Sequence, residues 1–187
     1  MFLIAVVVLA LLTVPLAGGH LGKLAQVQLR GKPLIFAALA VQIVIVNIVP
    51  GGNAGLHRVL HLATYAAAAG FLVANRRIAG MGMIAAGALA NVIAIAANNG
   101  VMPASAAALR TAGEVATTKS FLNSALVAHP RLGFLGDVFA IPKWLPLHNV
   151  FSIGDVCIAV GAAIAIHALA ESKLAIRRSS AQRLVRA

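Results

Sequence analysis

Cysteine is nearly absent. Cys157 stands alone, which excludes an intramolecular disulfide and a cysteine-built zinc site. Charge is scarce too: 10% of the residues are charged, against about 25% in an ordinary water-exposed domain. So few polar groups do not cover a water-facing surface, and the composition predicts lipid as the main solvent. Aromatic residues scarcely accompany the basic ones, so the formal net charge of +11 does not read as a nucleic-acid surface. No internal repeat and no pair of broken helices appears, the usual pointers to a carrier. No motif identifies a reaction.

What the chain has is apolar length. A crossing helix needs roughly 20 apolar residues, and five runs approach this: 2–18, 34–50, 56–74, 78–98 and 150–170. The first ends "VPLAGGH", as a signal peptide would, but no Lys or Arg precedes it, so it reads as a retained helix. The expected fold is all-α, a polytopic transmembrane bundle of about five spans. Residues 1–170 form one domain and 171–187 a basic cytoplasmic tail. Residues 99–149 form a long outer loop with short interfacial or re-entrant helices. Lys23, Arg30 and Lys32, then Arg76 and Arg77, then the Arg-rich end of the chain fall on one side of such a bundle. The positive-inside rule places the N-terminus out and the C-terminus in. The expected location is the cell membrane, multi-pass. The expected partners are membrane lipid and a membrane-protein partner or second copy, with no nucleic acid.

Helix contacts are predicted from small residues at helical spacing, which let backbones approach. Ala63, Ala67, Gly70 and Ala74 make one such face, and Gly154, Gly161, Ala165 and Ala168 another. Gln42, Asn47 and Asn91 are expected to hydrogen-bond between helices.

The polar residues gather, on this topology, at one end. Asp155 lies inside the last apolar run, "VFSIGDVCIAVGAAIAIHALA", and an ionisable group there needs a partner or a cavity. Candidate partners are His57, Arg58, His61, Asn98, Asn99, Lys119 and Ser152. In "FSIGD", Ser152 and Asp155 also suit a helix start, where a carboxylate meets free N–H groups and requires no chemistry. Asp137, in the loop before, is the other carboxylate near this end. Paired, Asp137 and Asp155 make a hypothetical acid–base dyad, one taking a proton from water and the other protonating a leaving group. His57 and His61, four apart, share a helix face, but no third ligand has diagnostic spacing. His167 falls at the opposite end, too far to join His61 as a haem pair. No metal and no cofactor is expected.

Two resemblances arise at these residues. The succession "ANNGVMP", a central Lys119, "LGFLGDVFAIP" and "VFSIGDVCIAVG" resembles an uncharacterised bacterial membrane-protein family, domain of unknown function 5317. That likeness implies a polytopic membrane protein without an established activity. Ser120 stands where a histidine is expected after the central lysine. Locally, "VFSIGDVCIAVGAAI" resembles the last-helix motif of lipoprotein signal peptidase, which implies a catalytic role for Asp155 with Asp137 as its fellow. Ser152 and Gly154 replace that family's asparagine and alanine, and its motif around the first carboxylate is missing from "LGDV".

Three functions compete. The first is an integral membrane protein whose outer polar cluster serves ligand binding, partner contact or assembly. The second is an intramembrane aspartyl hydrolase using Asp137 and Asp155. The third is a small proton- or cation-coupled transporter. Whether the chain is an enzyme is left open by the sequence.

Overall fold

The computed structural model describes residues 2–44, 54–114 and 124–175. Seven α-helices lie within them: α1 (Phe2–Leu16), α2 (Leu21–Ala25), α3 (Lys32–Ile43), α4 (Ala54–Ala74), α5 (Met81–Ala97), α6 (Ala106–Ala112) and α7 (Ile153–Leu169). Two small sheets fall between α5 and α7. β1 (Met102–Pro103) pairs in parallel with β2 (Ser124–Ala125), and β3 (Phe139–Ile141) pairs antiparallel with β4 (Asn149–Phe151), Ala140 opposite Val150.

α7 is the shared element, packed against α5 and against α1, while α3 packs on α4. The α5–α7 contact is made by glycine. A Cβ at Gly87 would lie 2.3 Å from the Gly154 carbonyl oxygen, and one at Gly80 would lie 2.1 Å from that of Gly161. Backbone therefore meets backbone at both levels, which only a residue without a side chain permits. The two contacts are two turns apart along each helix, Gly80 to Gly87 on one and Gly154 to Gly161 on the other, and their order reverses, so α5 and α7 run antiparallel. α1 runs parallel to α7: Phe2 stacks on Phe151 at 4.2 Å between ring centroids, and Thr13 reaches His167. Phe139 also stacks on Phe151, with centroids 5.5 Å apart, and ties the β3–β4 hairpin to the same aromatic group. A small apolar core of Ala104, Ala108, Leu109, Ala112 and Val150 seats α6 beside that hairpin.

The five-span transmembrane bundle is corrected. Among the described residues no helix is long and apolar enough to cross a membrane. The reason is length first. α1 has 15 residues and α5 and α7 have 17 each; at 1.5 Å per residue these reach about 23–26 Å, short of a hydrocarbon core of about 30 Å. α4 has 21 residues, but His57, Arg58 and His61 hold its hydropathy down. The multi-pass localisation, with its N-terminus out and C-terminus in, falls with the spans. Helix does form where each apolar run is: 2–18 becomes Phe2–Leu16, 78–98 becomes Met81–Ala97 and 150–170 becomes Ile153–Leu169, all drawn in, whereas 56–74 becomes Ala54–Ala74, two residues longer. Run 34–50 is described only as far as residue 44, within and just after α3.

The small-residue faces divide. Gly154, Gly161 and Ala165 are buried on α7. On α4, Ala63, Gly70 and Ala74 are exposed, and nothing approaches the Cβ position of Gly70. In the segment 99–149, α6 is one of the expected short helices, but Ser124–Ala125 is strand.

Candidate functional site

The site is built at the first turn of α7. Ser152 is extended (φ −100, ψ 169) and caps the helix. Its Oγ accepts the Asp155 N–H at 3.0 Å, and the Ser152 N–H donates to Asp155 Oδ2 at 3.0 Å. This reciprocal box satisfies two N–H groups that a helix start leaves without partners. α5 closes the other side. Asn91 Nδ2 donates to Asp155 Oδ1 at 2.9 Å, and the Ser152 hydroxyl donates to Asn91 Oδ1 at 2.8 Å. Three residues thus form a closed ring between two helices, completed by the Ser152 and Asp155 backbone N–H groups.

Gly154 makes the ring attainable. A Cβ there would sit 2.0 Å from Asn91 Oδ1. Ser152 is fully buried, so each of its polar atoms needs the partner it has. Both Asp155 oxygens accept from protein donors, and the carboxylate lies at the positive end of the helix dipole. Among the described residues no basic side chain is ion-paired with it. Arg58 and Lys119, expected as its counter-charges, are not described at the side chain; Lys119 lies outside the described residues altogether. The side chains of His57 and His61 are likewise outside what is described, though all three residues belong to α4.

Asn98 holds a different junction. Its Nδ2 donates to the Ala94 carbonyl at 2.8 Å and to the Arg131 carbonyl at 2.7 Å, while its Oδ1 accepts the Arg131 N–H at 2.9 Å. One amide therefore ends α5 and clamps the loop before the β3–β4 hairpin. Asn99 follows at φ 56, and with Gly100 it turns the chain out of the helix. Asp137 is 4% exposed. Its backbone N–H donates to the Pro103 carbonyl at 2.8 Å, and its carbonyl accepts the Ser105 N–H at 3.0 Å. It fastens the hairpin strand to the start of α6. The polar residues are brought together in separate groups: Asn91, Ser152 and Asp155 in one, Asn98 with Arg131 in another, and Asp137 at Pro103–Ser105.

Two polar junctions were not anticipated. Asn75 repeats the Asn98 arrangement at the end of α4: its Nδ2 donates to the Phe71 carbonyl at 2.8 Å and the Arg30 carbonyl at 2.9 Å, and its Oδ1 accepts the Arg30 N–H at 3.0 Å. The signal available was position alone, an Asn closing an apolar run. At the other end of α7, His167 Nδ1 lies 2.8 Å from Ser172 Oγ and Nε2 lies 3.2 Å from Thr13 Oγ1. The Thr13 hydroxyl also lies 2.9 Å from the Leu9 and Ala10 carbonyls, so one imidazole links the end of α7 to α1 and to Ser172. Nearby, the Lys23 ammonium hydrogen-bonds to Glu171 and holds that exposed carboxyl below its usual range.

A cavity of ≈ 320 Å³ opens beside Arg76, Ile78, Gly80 and Ile164, at the opposite end of α5 from Asn91. The polar ring therefore does not line it.

No curated protein and no solved structure matches the chain. The likeness to lipoprotein signal peptidase around Asp155 is accordingly not supported. One family does match, over residues 26–167, and on that coverage the chain belongs to DUF5317, a family of unknown function.

Proposed function

We propose that this protein works by surface contact with anionic lipid, and that its polar cluster serves assembly of the helices. The observation that carries the reading is the outward face of the bundle. Leu12 on α1 is 63% exposed, Phe36 on α3 67% and Leu89 on α5 59%, and other large apolar residues accompany them on each helix. Apolar exposure on this scale marks a contact surface rather than a solvated one.

Charge chooses the occupant. Fifteen Lys and Arg stand against four Asp and Glu. Two copies of a chain with net charge +11 repel each other. An anionic lipid surface attracts the same chain, by about 1 kcal/mol for each basic residue near it. The mode is interfacial: apolar faces rest at the boundary of headgroup and acyl chain, and no helix needs to cross.

Asp155 supports the assembly half of the reading. Both its oxygens are taken up by the cap between α5 and α7, one by Asn91 Nδ2 and one by the Ser152 N–H. Co-sedimentation tests the lipid half. The chain is expected to bind phosphatidylglycerol vesicles, to bind phosphatidylcholine vesicles more weakly, and to lose part of the binding in high salt. Failure to sediment with either vesicle, together with concentration-dependent dimers in their absence, would assign the apolar faces to a second copy instead.

A further inference from the structure

The loop joining β3 to β4 runs "PKWLPLH" from Pro142 to His148. Trp144 at its tip is 76% exposed, and Leu145 and Leu147 are exposed beside it. The loop is held rather than loose. The Lys143 N–H donates to the Thr111 carbonyl of α6 at 3.0 Å, and the Leu145 N–H closes a turn on the Pro142 carbonyl at 3.0 Å. Pro142 and Pro146 fix two further backbone angles. Below the loop, the stacked rings of Phe139, Phe151 and Phe2 join the hairpin to the start of α1. Leu147 sits at φ 67, a left-handed conformation that a branched side chain rarely adopts, and it is presented outward. The fold thus fixes three large apolar side chains on its outside.

We propose that this hairpin loop is the membrane-surface anchor, seating Trp144, Leu145 and Leu147 in the headgroup–acyl boundary of anionic lipid while Lys143 meets the phosphates. The proposal rests on the lipid reading above and adds to the helix faces a fixed loop that sets the depth of contact. The charge around the loop fits that partner. The cations at the loop are Lys143 and Arg131, with Arg110 on the α6 turn to which the loop is fastened, all exposed; the carboxylates are Asp137, buried, and Glu114 just past α6, half-buried. Tryptophan favours this depth because its ring is apolar and its N–H needs a wet partner.

Trp144 is the chain's one tryptophan, so it reports on itself. The full-length protein is titrated with phosphatidylglycerol vesicles, and tryptophan emission is read alongside co-sedimentation. The anchor predicts a blue shift, loss of iodide quenching, and stronger quenching by lipids brominated near the headgroup than near the chain end. Leu145→Asp with Leu147→Asp is expected to weaken vesicle binding by about tenfold or more. If the protein sediments with vesicles while Trp144 stays open to iodide, the anchor is wrong and the lipid reading survives. If it does not sediment, both fall. A blue shift that needs no vesicles and grows with protein concentration places a second copy on the loop and overturns the anchor.

Discussion

Asp155 shows what one residue can and cannot disclose. In sequence it is a carboxylate in an apolar run, and "FSIGD" makes a helix cap legible, because Ser at the cap and an acid three residues on is a local pattern. Asn91 was legible as a residue seeking an interhelical bond. That these are one ring was not legible, since a contact between positions 64 apart leaves no trace in local spacing. Ser152→Ala removes the cap and strips Asn91 Oδ1 of its donor. It is expected to lower unfolding free energy by about 1–2 kcal/mol, read from denaturant melts. Glu171 gives a pH test. Its carboxyl is lowered by the Lys23 hydrogen bond, so the pair stabilises the fold above the unfolded pKa and loses that contribution as pH falls through the folded one. Carboxyl NMR titration should show the Glu171 midpoint rising in Lys23→Gln. The difference should shrink with salt, because both groups are exposed.

Among elements, the long helices were readable and the short strands were not. Apolar runs announce helix in proportion to their length, whereas β1 and β2 have two residues each and β3 and β4 three, too few to display alternation. The glycine faces explain why spacing alone misleads. Gly87 and Gly70 look alike in sequence, yet the first abuts the Gly154 backbone and the second faces open space. Gly87→Ala should therefore force α5 from α7 and destabilise by about 1–3 kcal/mol. Gly70→Ala should stabilise by about 0.5–1 kcal/mol, because an exposed helical alanine replaces a glycine. Thermal melts of the two variants should move in opposite directions. The Asn clamps act at the same scale. Asn98→Ala frees the Arg131 amide, so its hydrogen exchange should quicken while that of α7 holds.

At the level of the whole molecule, the composition is apolar, yet among the described residues no helix is long and apolar enough to cross a membrane. Crossing demands continuous helix length, and composition does not set where a helix stops. Capping by Ser152 and the turns at Gly80 and Asn99 set those stops, and each is a local event inside a run that looks unbroken. What remains is a bundle with polar junctions inside and apolar side chains outside, carrying a large positive charge. Its working surface, on this account, is the outside. Carbene photolabelling from an acyl-chain probe in phosphatidylglycerol vesicles, mapped by mass spectrometry, addresses that most directly. Adducts are expected on Leu12, Phe36 and Leu89 and none on the buried Val14 and Ala94. Vesicle-bound protein with those three residues unlabelled would contradict it.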